Sequence, residues 1–258
     1  MRQTFFKLLP GLVGGLLGWM MFNPPVWLEA LGPLAWVVNL GLVAVLLVSV
    51  VGFIIVNNLP ERLETEIAPE TDVHEELRDL ERRFAALGFR SAGPPLRVKI
   101  APSAILLGFV HEKEPVYASA FRTETSPPKT SYDFVSILHG ERGGLTTNAD
   151  PGGAALPAGD GGLRQLFPGE SVDAMFARHL DGIAYLNERG IPCRALSAGM
   201  FAQDLALGIS KQRAAFMAAP FVGTLVTLWR AASKQVPFVG SLREQTIAEN
   251  QISRLLTT

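Results

Sequence analysis

Two histidines and one carboxylate are the side chains in this chain best able to do chemistry. His139 closes a strand-like run, and His179 and Asp181 stand two apart on a helix-like one. An imidazole can serve as general base and a carboxylate can orient it, so convergence of the three would suit a hydrolase. Thr146, Thr147, Asn148 and Asp150 follow His139 and would add polar groups nearby. No spacing demands that these residues meet. Threonine and asparagine on a strand usually satisfy water and backbone, and a histidine on a helix surface is usually solvated.

The other candidates are near misses. His74-Glu75 and His111-Glu112 each open a zincin-like H-E-x-x-H, but the fifth positions are Arg78 and Pro115. Neither can present two imidazoles one helical turn apart to a zinc ion. Ser126-Pro127-Pro128-Lys129 matches S-x-x-K in letters only, because its prolines oppose the helix start that aims serine and lysine at each other. Phosphate-cradling glycine loops and the nucleophile elbow are missing, so no cofactor and no metal is expected. Cys193 is the one cysteine, which excludes an internal disulfide and a cysteine-rich metal site. Tyr117, Phe121, Tyr132 and Phe134 lie in strand-like runs without a basic cluster, and the net charge is −1. Packing explains these rings better than base stacking, and nucleic acid is not an expected partner.

The elements that must position these residues begin with a membrane signature. A mean hydropathy of +0.24 with 18% charged residues leans towards a membrane-associated chain. Residues 1–58 are expected to form a two-helix transmembrane hairpin, with spans at about 5–22 and 34–56. The second span contains no charged residue and exceeds the roughly 20 residues a bilayer core requires. Gly11, Gly14, Gly15 and Gly18 give two small-xxx-small pairs in the first span, which would let the two helices pack closely. Asn39 and Ser49 are the polar members of the second span, and Ser49 can bond either across the pair or to its own backbone. Trp27 and Trp36 suit one membrane interface. Arg2, Lys7 and Arg62 lie outside the spans, and basic residues favour the cytoplasmic side. The expected location is therefore the inner (plasma) membrane, with the following domain in the cytoplasm.

Residues 59–71 read as an acidic linker, within a longer run of Glu61, Glu64, Glu66, Glu70, Asp72, Glu75, Glu76, Asp79 and Glu81 that an anionic leaflet would repel. Residues 72–190 read as an α+β domain, an antiparallel meander flanked by helices. Asp72 with Glu75 resembles a capping box, and Val73, Leu77, Leu80, Phe84 and Leu87 form one stripe. Strand-like runs follow at about 96–100, 104–111, 116–123, 131–139 and 145–148, joined by turns too short for parallel crossovers. Residues 149–165 are rich in Gly, Pro and Ala and read as a loop. Ser171 caps a helix whose core face is Met175, Phe176, Leu180, Ile183 and Leu186.

Residues 191–258 form a helical, apolar and net basic region. The uncharged run 214–229 is too short for a full span and is flanked by Lys211, Arg213, Arg230 and Lys234, with Trp229 at its edge. These residues suit an interfacial segment that meets anionic lipid, with burial in the domain or a tilted third span as the other readings. Ser241 and Glu244 form a second capping box before a terminal helix. The functional expectation is a membrane-anchored adaptor or sensory binding protein without enzymatic activity, which binds a protein partner or a ligand near the membrane. The alternatives are a membrane-bound, hydrolase-like enzyme using His139, His179 and Asp181, or an accessory subunit of a membrane complex.

Overall fold

A computed structural model describes residues 34–58, 63–99, 103–141, 143–148, 161–233 and 239–257. The chain divides into two units, 1–55 and 56–258. Helix α1, Leu34–Asn58, occupies the first. Its 25 residues give a rod of about 37 Å. Within it the Ser49 hydroxyl donates to Val45 O at 2.8 Å, the local choice of the two open to it. The first expected span, with Gly11, Gly14, Gly15, Gly18 and Trp27, lies outside the described residues. Over the described residues no helix is long and apolar enough to cross a membrane.

The second unit has an α+β fold built on one mixed sheet flanked by helices. Its strands are β1 (Thr65–Ile67), β2 (Phe89–Ser91), β3 (Leu96–Val98), β4 (Ala104–His111), β5 (Tyr117–Thr123), β6 (Thr130–Ile137), β7 (Gly144–Asn148) and β8 (Gly162–Leu166). They run in the order β1-β3-β4-β5-β6-β7-β8, with β2 pairing beside β3 on the same edge of β4. Strands β4 to β7 form the antiparallel meander that their short turns require. Three strands were not expected from the sequence: β2, which directly follows the helix Glu75–Ala86, β8 and β1. β8 falls in the segment expected to be loop and pairs in parallel with β7, which makes the sheet mixed. β1 falls in the segment expected to be linker and pairs with β3.

Helices α2 (Glu75–Ala86) and α3 (Val172–Asn187) cover one face. The cap of α2 is His74 rather than Asp72: His74 Nδ1 accepts from the Glu76 amide at 3.3 Å, and Asp72 ends a short 3-10 turn upstream. Ser171 caps α3 as expected, accepting from the Ala174 amide. Leu77, Leu80 and Phe84 from α2 and Met175, Phe176, Ile183 and Leu186 from α3 meet Leu107, Phe109, Phe134 and Leu145 of the sheet. Phe84 is fully buried, with its ring centre 5.1 Å from Phe109 and 5.7 Å from Phe134, spacings that suit tilted aromatic packing. Helix α6 (Thr246–Thr257) adds Ala248, Ile252 and Leu255 to this core. The box at Ser241 and Glu244 is present, but it closes a 3-10 turn and the helix restarts at Thr246.

The opposite face carries a smaller core of Val98, Leu106, Val110, Tyr117 and Phe201. Phe201 opens α4 (Phe201–Ala218) and lies over Gly108, where a Cβ atom would fall 2.2 Å from its ring. Only a residue without a side chain fits beneath it. The run 214–229 is not one segment: Ala219 leaves the helical region (φ −148°, ψ 67°) and Pro220 starts α5 (Pro220–Ser233). Phe216, fully buried, packs below Gly223 across that break.

Candidate functional site

The three residues picked out as possible catalysts do not form one site. His139 is exposed, and its amide donates to Pro192 O. Asp181 is exposed and lies 3.8 Å from Arg243. His179 faces inwards and is fully buried, contrary to the solvated position expected of it. Its Nε2 lies 2.9 Å from Ser136 Oγ and its Nδ1 2.8 Å from Thr147 Oγ1. Hydrogens can be assigned along this chain of contacts. The Ser136 hydroxyl donates to Pro115 O at 2.6 Å, so His179 Nε2–H must donate to Ser136 Oγ. Nδ1 is then the acceptor for the Thr147 hydroxyl, and Thr147 Oγ1 in turn accepts from Gln165 Nε2 at 3.1 Å. Gln165 Oε1 accepts from the Leu242 amide at 3.0 Å. Burial holds the His179 pKa down at about 3, so the ring is neutral and both its nitrogens are engaged. This is a satisfied core histidine, not an available base. Cys193 is equally ill suited to attack, since burial pushes its thiol up to about 11.

An apolar-walled cleft lies on the other side of the sheet. Side chains alternate along β5, β6 and β7, so Tyr117, Ser119, Phe121, Asp133, Val135, Ile137, Thr146 and Asn148 share one face. These residues, with Arg164 on β8, line a cleft of about 310 Å³. The facing wall is α4, which contributes Phe201, Asp204, Leu205, Gly208, Lys211 and Gln212. Their spacing of three and four places them along one helix face.

Asp204 ties that helix both to the preceding loop and to the sheet. Asp204, buried on α4, pairs with Arg194 and accepts from the Tyr117 hydroxyl at 2.9 Å, with Ser197 O also 2.8 Å from that hydroxyl. Burial and the neighbouring carboxylate hold the Tyr117 pKa well above its ordinary value, so it remains a donor. On the floor, Ser119 and Asn148 are the cross-strand partners of Asp133, giving a polar row across three strands. Asp133 Oδ1 is closed off from water and has no donor among the described residues. Burial raises its pKa to about 6, offset in part by the Ser119 hydroxyl.

Of the residues assigned to a membrane interface, Lys211 lines this cleft and Arg213 is half-buried on α4. Trp36 and Trp229 are exposed. The Arg230 side chain and Lys234 lie outside what is described. Sequence reasoning passed over the cleft, although one signal was there: Asp133 occupies the same strand face as Val135 and Ile137, an acid among apolar neighbours. The Arg194–Asp204 pair left no such trace, because a loop and a helix start carry no common period. Among the described residues no group of three or more His, Cys, Asp or Glu side chains is placed to hold a metal ion. No family model matches the chain, and neither does any curated protein or solved structure.

Proposed function

We propose that this is a membrane-anchored binding protein whose sheet domain takes a small ligand in the cleft beneath α4 and presents its state to a partner at the inner membrane. The observation that carries the reading is the cleft itself: about 310 Å³, at the small end of ligand pockets, with apolar walls and a few placed polar groups. Catalysis finds less support, because His179 has no free nitrogen and His139 and Asp181 point elsewhere. The uncharged stretch 34–56 is the proposed anchor.

A second attachment is part of the proposal. On α5, Phe221, Leu225 and Trp229 recur every fourth residue and are 46%, 43% and 67% exposed. Such a stripe with basic residues flanking it in sequence suits the surface of an anionic leaflet. Topology reporters placed after Ala30, Pro60, Ser210 and Thr258 of the full chain test the arrangement. Reporters at the last three positions are expected to be cytoplasmic and the first external; a periplasmic signal after Ser210 would overturn it.

A further inference from the structure

We infer that the cleft selects a small apolar molecule bearing an amine, with Asp133 as the counter-charge; the inference rests on the cleft being a ligand site. The space of about 310 Å³ corresponds to about ten water volumes, which sets the size of the guest. Phe121, Val135, Ile137, Phe201 and Leu205 offer it an apolar lining. At the floor stands one carboxylate whose Oδ1 is buried and unpartnered among the described residues. A buried acceptor without a donor is costly, and a buried carboxylate more so, unless a cation or donor meets it.

Among the described residues no basic side chain acts on Asp133, although Arg164 and Lys211 line the same cleft. What acts on its ionisation is burial and the Ser119 hydroxyl, with no basic side chain contributing. Its cross-strand neighbours Ser119 and Asn148 are neutral. Asp204, the other acid lining the cleft, is already matched by Arg194 and Tyr117. Asp133 is thus the acid with capacity to spare, and an ammonium group against the cleft-facing part of its carboxylate supplies the missing counter-charge. A carboxylate ligand would add a second negative charge beside it.

The test uses the full chain in nanodiscs of neutral phosphatidylcholine, with empty nanodiscs as control. Three probes of matched shape are titrated by calorimetry: 2-phenylethylamine, 2-phenylethanol and 3-phenylpropanoate. The amine is expected to bind about tenfold or more tighter than the alcohol, the acid weakest. Asp133→Asn is expected to abolish the preference for the amine while leaving the alcohol's affinity in place, which also shows that the variant is folded. Gly208→Leu, where a Cβ atom meets nothing within 4 Å, is expected to weaken all three. Tightest binding of the acid, or amine affinity unchanged by Asp133→Asn, would overturn the amine assignment and leave the cleft standing as a ligand site. Binding of none of the probes, in either the parent or Gly208→Leu, would overturn the cleft reading as well.

Discussion

His179 is fully buried and Asp133 half-buried with its Oδ1 closed off, and their responses to pH have opposite sign. His179 holds its proton less tightly in the folded chain, at about 3 against an ordinary 6.5. The unfolded chain therefore binds more protons between these values, and stability falls as pH drops from 6.5 towards 3. Asp133 holds its proton more tightly when folded, at about 6 against 3.8. The folded chain then binds more protons in that window, and stability falls as pH rises from 3.8 to 6. The two slopes oppose each other in the parent protein, so single variants are needed to see either. Urea unfolding of the sheet domain within the full chain, followed from pH 3.5 to 7.5, should show Asp133→Asn steeper on acidification than the parent. The same variant should gain about 1–3 kcal/mol at pH 7. His179→Gln should lose about 1–3 kcal/mol at pH 7, through the broken chain of hydrogen bonds, and show only the rising cost of ionising Asp133. Parallel curves for parent and both variants would refute the assignments. Sequence patterns did not reveal either role. A helical period puts His179 within the core face formed by Met175, Phe176 and Ile183, but it cannot say that Ser136 and Thr147 wait there.

At the scale of elements, close approach between α3 and the sheet depends on Gly182. A Cβ atom there would lie 2.7 Å from Gln165 Nε2 and 2.9 Å from Leu145 Cδ2. Gly182→Val should therefore push α3 off β7 and β8 and displace the Gln165 amide, at a cost of about 1–3 kcal/mol. Thermal unfolding of the full chain would show it, and a melting curve identical to the parent's would contradict the packing described. Most elements were legible because their apolar periods are strong: Leu77, Leu80 and Phe84 for α2, and the run 104–111 for a central strand. β8 was not. Gly162-Leu163-Arg164-Gln165-Leu166 is short and follows a glycine- and proline-rich stretch, and its stability as a strand comes from β7 rather than from its own residues. The break at Ala219 was hidden for the converse reason: Pro220 is tolerated at a helix start, so two helices read as one apolar run.

For the whole molecule, the proposed two-point attachment predicts where the α5 stripe lies. Trp229 of the full chain, reconstituted in vesicles of anionic lipid carrying brominated acyl chains, should lose fluorescence relative to unbrominated vesicles. The Trp229→Phe variant isolates its share from that of Trp19, Trp27 and Trp36. Equal quenching in parent and variant would place the stripe away from lipid. The proposed anchor and the domain are separable in sequence because charge density changes sharply between 34–56 and the acidic run after it. How the domain uses its two faces was not, because face assignment depends on which helix covers which side, and that is settled by Gly108 admitting Phe201 and by Arg194 meeting Asp204.

The main core is closed by Leu242, Ala248, Ile252 and Leu255, from the last stretch of the described chain, while Leu77, Leu80 and Phe84 lie near its start. During synthesis the sheet face between them stays open to water until residue 255 has left the ribosome. Non-local closure of this kind is slow and leaves apolar surface exposed meanwhile. The proposed N-terminal anchor, once inserted, would hold each nascent domain apart from its neighbours on the membrane plane, so on that proposal the tether acts first as a guard against aggregation and only afterwards as an address.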